Sequence, residues 1–269
     1  MRKVIVLFAL LLLAFPLFAG DPSRLTLAST TSTLDSGLFD ALIPAFEKKF
    51  SCKVKVIAVG TGQALRLGRD GNADVLLVHD PEGEKAFVNE GFGQERLSVM
   101  HNAFAIVGPS QDPAKIRRQP LDIAFERIVA TGAPFVSRGD QSGTHKKELK
   151  LWSLFGGKKS SAYLESGSGM EATLRIALER QAYTLTDMAT WLAHSKELDG
   201  LSLLVENDQR LYNPYSVILI NPAKYPDLNH PLAEKFVQWI RGKEGQKIIR
   251  SFGVDRFGSP LFFPDVITR

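Results

Sequence analysis

The stretch Ser137-Arg138-Gly139-Asp140-Gln141-Ser142-Gly143-Thr144-His145-Lys146-Lys147 brings a permanent cation, hydroxyls, a glycine and a carboxylate together in a few residues. Arg138 supplies a forked, always charged donor. Ser142 and Thr144 add O–H donors, and Gly143 lets the backbone approach a ligand closely. Asp140 is better suited to orienting Arg138 than to meeting an anion itself. Lys146 and Lys147 read as solvated side chains that add a long-range positive field. The same residues are also consistent with an ordinary capped helix and a surface Arg138–Asp140 pair.

Two further turns, Ser29–Thr33 and Gly60–Gly62, share the property that makes the first one interesting. Each lies between an apolar strand and an amphipathic helix, so each presents free backbone N–H groups at a helix N-terminus, a setting that favours an anion. One such turn means little, because Ser and Thr are ordinary N-caps. Three in one chain raise an anion-binding hypothesis. Ser166-Gly167-Ser168-Gly169-Met170 reads as a flexible start to another helix, with its backbone donors left open.

Other chemistries fit poorly. Gly60-Thr61-Gly62-Gln63 lacks the phosphate-loop pattern, since the next glycine, Gly68, is followed by Arg69. Ser142 in Gly139-Asp140-Gln141-Ser142-Gly143 is one position off a nucleophile elbow. His79, His101, His145, His194 and His230 show no helical pair spacing suited to zinc. Asp80 beside His79 reads as a strand-end turn. The single cysteine, Cys52, excludes an intramolecular disulfide and a multi-cysteine metal site, and reads as an inert buried thiol. The expectation is a protein with no catalytic residues, no protein-held metal and no cofactor.

The elements that must position these turns alternate. Strands are expected at Leu25–Ala28, Lys53–Val59 and Ala73–Val78, with helices from Leu38 to Phe50, Gln63 to Arg69 and Pro81 to Gly91. That order predicts right-handed crossovers and a parallel sheet. An extended run from His101 to Val107 precedes a break at Pro109 and Pro113. Beyond it, helices are expected at Leu121–Thr131, Thr144–Leu154, Glu171–Arg180 and Thr186–His194, and strands at Pro134–Ser137 and Leu201–Val205. A strand at Ser216–Ile220 and a helix from His230 to Ile249, interrupted near Gly242 and Gly245, complete the pattern.

Composition agrees with a folded chain. At 44% hydrophobic and 23% charged, 269 residues suffice for two modest lobes, each with a core, and disorder is excluded. Arg2 and Lys3, the apolar run Val4–Phe18 and the small residues Ala19 and Gly20 have the layout of a secretory signal peptide over residues 1–19. The run is short for a membrane span and contains Pro16. The reading is export, cleavage and release into a periplasm. Removing Arg2 and Lys3 leaves 31 Lys and Arg against 29 Asp and Glu, too even a balance for a nucleic-acid binder.

Taken together, Ala28-Ser29-Thr30-Thr31-Ser32-Thr33 with Asp35-Ser36-Gly37-Leu38, Val59-Gly60-Thr61-Gly62-Gln63-Ala64, Ala73–His79, the Ser137–Lys147 block and Tyr212-Asn213-Pro214-Tyr215 resemble periplasmic tungstate-binding proteins of ABC importers. The resemblance runs from about Leu25 to Ile240, and Ser29 departs from a threonine common in that motif. It implies an α/β, type II periplasmic solute-binding fold of two lobes, each a mostly parallel sheet flanked by helices, with the ligand in the interlobe cleft. Carried over by motif, the ligand-binding residues are Ser29, Thr30, Thr61, Arg138, Ser142, Gly143 and Thr144. The implied division is residues 20–107 and 212–269 for the first lobe and 108–211 for the second. The implied ligand is tungstate or its near twin molybdate, the implied partner a membrane permease, and the binder a monomer. A phosphate-binding relative of the same fold, or a secreted phosphoryl-transfer or hydrolytic enzyme, are the other readings. Phosphate keeps a proton near neutral pH, so a carboxylate facing the ligand would favour it, and the orientation of Asp140 separates the two.

Overall fold

In the computed structural model, residues 21–266 are described, and the expected export signal lies outside them. The alternating N-terminal pattern folds as β1 (Arg24–Thr30), α1 (Thr31–Asp35), α2 (Leu38–Phe50), β2 (Lys53–Val59), α3 (Thr61–Arg69), β3 (Val75–Val78) and α4 (Pro81–Asn89). β1 pairs in parallel with β2 along its whole length, from Arg24↔Lys53 to Thr30↔Val59, and with β3 at Leu27↔Val75 and Ala28↔Leu76. The turns after β1 and β2 therefore open at the same edge, where ligands bind in open α/β sheets.

The next strand, β4 (Gly93–Pro109), is 17 residues long and starts well before the expected His101. The remaining elements are α5 (Leu121–Thr131), β5 (Phe135–Ser137), α6 (Gly143–Leu154), β6 (Tyr163–Glu165), α7 (Met170–Glu179), β7 (Thr184–Asp187), α8 (Met188–His194), β8 (Leu201–Val205), β9 (Tyr212–Ile220), α9 (His230–Arg241), α10 (Lys243–Ser251), α11 (Val254–Phe257) and β10 (Phe263–Pro264). β4 pairs antiparallel with β9 as far as Ala103↔Tyr212, and with β7 from Phe104↔Asp187 onward. One continuous strand thus serves both lobes.

The path β10-β4-β9-β3-β1-β2 corrects the expectation of a mostly parallel sheet. Only β2-β1-β3 is parallel; β3-β9, β9-β4 and β4-β10 are antiparallel. The physical reason is connectivity: β4 leaves the first lobe and β9 returns to it, so neighbours with opposite chain direction are unavoidable. The second lobe is mixed as well, with β5 parallel to β6 and both β7 and β8 antiparallel to β4. The helix expected over Thr186–His194 begins two residues late. Thr184, Leu185 and Thr186 suit a strand, and Asp187 caps α8 by accepting the Thr190 N–H at 2.9 Å.

Buried apolar clusters fill both lobes, and the first lobe's also takes in Ala189 of α8. In the first, Leu25, Leu27, Val75 and Leu77 face α2 and α9, where Phe46 packs edge-on to Phe236 (ring centroids 5.1 Å apart) and near Trp239. The opposite sheet face, with Ala28, Leu76, Val78 and Ile218, is covered by α3 and α4 through Leu65 and Phe87. In the second lobe, Phe125, Phe135 and Trp152 meet edge to face, at centroid separations of 4.5 and 5.1 Å from the indole. Among the described residues no helix is long and apolar enough to cross a membrane.

Phe46, fully buried among three aromatic rings, is the side chain on which α2, α9 and the sheet converge. Replacing it by alanine is expected to lower unfolding free energy by about 3–5 kcal/mol, through lost transfer energy and a residual cavity. Urea unfolding followed by circular dichroism checks this.

Candidate anion-binding site

Strand ends deliver four helix N-termini to the cleft. Thr30 caps α1, accepting the Thr33 N–H at 3.4 Å, and Ser142 caps α6, accepting the His145 N–H at 3.3 Å. Gly60 and Gly169 precede α3 and α7 without any side-chain cap, so the first amides of those helices keep their donors. The turns also touch across the lobes. A Cβ added at Gly60 would lie 3.5 Å from the Asp140 carbonyl oxygen, and one at Gly169 3.8 Å from Thr31 Oγ1. A Cβ on Gly143 would lie 2.9 Å from His79 Cε1 and 3.0 Å from Thr61 Oγ1. Gly143 is therefore a matter of space: α6 of one lobe seats its first residue directly on His79, just after β3, and on the first residue of α3 of the other.

Arg138 ties the arrangement together. Its Nη2 donates to Asp140 Oδ2 at 2.5 Å and, across the cleft, to Thr31 Oγ1 at 3.1 Å. The other carboxylate oxygen, Asp140 Oδ1, accepts the Ser142 N–H at 3.1 Å. Both oxygens of Asp140 are thus engaged within its own loop, and the residue orients Arg138 as the sequence suggests. The loop needs left-handed backbone at Gly139 (φ 63°), where a Cβ would approach Glu165 to 2.6 Å.

Six buried side-chain polar atoms lack a partner among the described residues, and four of them lie in these turns: Thr61 Oγ1, Arg138 Nε, Thr144 Oγ1 and His145 Nε2. Their residues are between 0% and 8% exposed. A buried polar group without a partner costs about 1–3 kcal/mol, so their concentration in one place calls for a ligand rich in acceptors. His145 was not singled out by the sequence. Its Nδ1 accepts the Gln141 N–H at 3.0 Å, which leaves the ring proton of the neutral imidazole on Nε2 as a donor. The signal was its position one residue after Gly143-Thr144.

The seven motif residues do not behave alike. Thr61, Arg138 and Thr144 bring unpaired polar atoms, Gly143 provides closeness, and Ser142 and Thr30 retain hydroxyl capacity beside their capping bonds. Ser29 is the exception. Its hydroxyl donates to the Leu77 carbonyl oxygen at 2.6 Å, so it stitches β1 to β3 and has no proton left for a ligand. Lys146, exposed as expected, and Lys147, part-buried, each also make a polar contact, with Asp80 and with the Tyr212 carbonyl oxygen.

His79 forms the wall behind Gly143. Burial pushes its pKa down to about 4, with the nearby charge of Arg138 acting the same way, so the ring is neutral. Asn213 donates through Nδ2 to Asn102 Oδ1 and Tyr215 OH, which leaves its Oδ1 to accept from His79 Nδ1 at 3.1 Å. His79 Nε2 then accepts from the Ser32 hydroxyl at 3.3 Å, and the ring stacks on Tyr215. Beside this wall a pocket of about 480 Å³ opens between the lobes, lined by Asp80, Phe104 and Lys147 among others.

Carboxylates surround the one cation. Asp35, half-buried, has its pKa raised to about 6, first by burial and then by the charge of Asp187, with Glu171 acting in the same direction and Arg138 and His194 opposing. Burial also raises the pKa of Asp187, which is fully buried.

The chain belongs to the PBP superfamily, whose domain model matches residues 19–244. It is 47% identical over 243 residues to the tungstate-binding protein TupA of Peptoclostridium acidaminophilum, covering 89% of this chain and 85% of that one. Among solved structures, the tungstate ABC transporter of Geobacter sulfurreducens superimposes with a TM-score of 0.79 at 46% identity, covering 87% of this chain and all of the other. TupA of Desulfovibrio alaskensis G20 gives 0.77 at 43% identity, over 91% and 99% of the two chains. The fold is that of the type II periplasmic binding proteins.

Two expectations follow for an anionic ligand. Gly143→Ala forces His79 and Thr61 off α6 and is expected to weaken tungstate binding about tenfold or more, with the unfolding midpoint of the ligand-free protein nearly unchanged; calorimetry and urea titration read the two effects. Asp35 is neutral below about pH 6 and anionic above it, so affinity for a dianion is expected to fall as pH rises through that value. The rise also means the folded chain holds this proton more tightly than the unfolded one, so the cost to stability grows between the ordinary carboxylate pKa and about 6. Asp35→Asn is expected to flatten the affinity profile, measured by calorimetry from about pH 6 to about pH 8.

Proposed function

We propose that this protein captures tungstate outside the cytoplasm and delivers it to the membrane permease of an ABC importer. The observation that carries the reading is the convergence, at the join of the two lobes, of one buried guanidinium with hydroxyl and imidazole groups that lack partners among the described residues. A tetrahedral dianion offers acceptors and no donors, so such a shell suits it. The relatives, named as tungstate-binding and tungstate-transporting proteins, support the choice of oxyanion.

The bound anion would meet Arg138 Nε, Thr61, Thr144 and Ser142 hydroxyls, the Gly143 amide and the His145 Nε2–H, with Thr30 at the margin. Arg138 supplies charge and the others fix shape, at little cost in reorganisation because their places are held by caps and by Asp140. Residues 20–107 with 212–269 would form one lobe and 108–211 the other, closing on the ligand as the related binding proteins do. A phosphate-binding reading is disfavoured by Asp140, whose carboxylate oxygens both accept from its own loop. An enzymatic reading gains little from the serine that does face a histidine ring, Ser32 with His79 Nε2 at 3.3 Å, because both side chains are buried. Ser142 spends its oxygen on the α6 cap and is bonded to no histidine ring. Tungstate and molybdate share charge and nearly share size, so both are expected to bind. The first residues would direct export and be removed, and the mature binder would act as a monomer without a cofactor.

Arg138→Ala is expected to weaken tungstate binding by about a hundredfold or more while the protein stays folded, since it removes the one cation at the centre of the site. Calorimetry with tungstate, molybdate, sulfate and phosphate in parallel tests the reading. Tight binding of phosphate alone, or unchanged affinity in Arg138→Ala, overturns it.

A further inference from the structure

Helix α6 begins on the anion-binding turn and then runs past the first turn of α4. Lys146 Nζ reaches Asp80 Oδ2 at 2.5 Å, with the lysine side chain 42% and the carboxylate 10% exposed. One helical turn further, Lys150 Nζ meets Glu82 Oε1 at 2.5 Å, both well exposed. Leu151 and Trp152 of α6 belong to the second lobe's core, whereas Val78 and Phe87, which flank Asp80 in the chain, belong to the first lobe's. Both ion pairs therefore join the two lobes.

We propose that the Lys146–Asp80 pair is a positioning contact that holds the cleft shut and sets how slowly the bound anion leaves; this rests on the oxyanion-binding reading above. Asp80 is fixed from within its own lobe. Its Oδ1 caps α4 by accepting the Gly83 N–H at 3.3 Å, leaving Oδ2 for Lys146. Its own N–H donates to Glu84 Oε1 at 2.6 Å, and Glu84, fully buried, is held by Arg96 Nε at 2.5 Å. A Cβ at Gly83 would stand 2.5 Å from Asp80 Oδ2, so glycine there leaves the carboxylate its space. The acceptor is in place before α6 arrives, and pairing it leaves little ordering to be done on the Asp80 side.

The position along the chain gives the pair its consequence. Asp80 follows His79, which touches Gly143, and Lys146 follows Gly143 by less than one helical turn. Separating Lys146 from Asp80 lifts the same seam that closes the anion turn against Thr61 and His79. Solvent decides which of the two pairs matters. Lys150–Glu82 is a surface pair of the kind that contributes almost nothing. Asp80 is largely out of water and is screened less, so its attraction persists.

The test measures tungstate release by stopped-flow in the wild type, Lys146→Met, Lys146→Arg and Lys150→Met. Lys146→Met is expected to release tungstate about three- to tenfold faster, Lys150→Met within about twofold of wild type, and Lys146→Arg to restore slow release. The thermal midpoint of the ligand-free protein is expected to be the same in Lys146→Met as in wild type, while the rise in midpoint on adding tungstate shrinks. An unchanged release rate in Lys146→Met, or a ligand-free midpoint lowered as much as the liganded one, overturns the proposal. A wild-type protein that does not bind tungstate overturns the ligand reading instead.

Discussion

Taking a guanidinium out of water is costly unless acceptors meet its N–H groups, and Arg138, only 2% exposed, has its demands met in part. Asp140 satisfies one edge and Thr31 a second contact, and Nε is left over. The remainder of the site can be read as the consequence of holding this cation in place. Asp140 is anchored by the Ser142 amide, which lies at the start of α6; the loop requires left-handed backbone at Gly139; and the Thr31 contact requires that the lobes be close enough to touch. A cation balanced by one carboxylate from its own loop is close to neutral as a unit. On the proposed reading an arriving dianion would meet directed donors more than net positive charge, and the nearby acids Asp35 and Asp187, both with raised pKa, would matter through their protonation.

Much of this was legible in the sequence, and for a definable reason. Helix N-caps, tight glycine turns and Arg–Asp pairs are local, so Ser142, Gly143 and the Arg138–Asp140 relation could be inferred from neighbours in the chain. So could the parallel β1, β2 and β3, whose helices intervene in the expected order. Ser29 shows the limit: its type and place in the motif suggested a ligand, but its hydroxyl partner, Leu77, lies 48 residues away on a neighbouring strand. The His79–Asn213 bond joins residues 134 apart, and no local pattern announces it. Nor does any local pattern announce the partner of Lys146, Asp80, which lies 66 residues away on the other lobe.

The mixed sheet was hidden for the same cause. A run such as Gly93–Pro109 does not declare in its own residues that it will change partners midway, from β9 to β7, between Ala103 and Phe104. Yet that change is what gives the molecule two lobes joined by strands that continue through both. β4 departs and β9 begins side by side, paired as far as Ala103↔Tyr212, so the link between lobes is a hydrogen-bonded ribbon rather than a loose linker. The anion turns lie along the line where those lobes approach each other.

On the proposed reading the donors come from both bodies, so binding and closure would form one equilibrium. Thr61 and Thr30 stand on the first lobe, and Arg138, Ser142, Thr144 and His145 on the second. An anion that bridges them favours the closed arrangement by the contacts it makes only there, and a ligand able to satisfy just one side shifts nothing. Selectivity then need not come from any single residue. A ligand of the wrong size or with a proton of its own leaves one lobe's donors short of acceptors, and the shortfall is felt as incomplete closure, in which Gly143 cannot seat against His79 and Thr61. The absence of a side chain at position 143 is, on this view, as much a part of the recognition as the guanidinium at position 138.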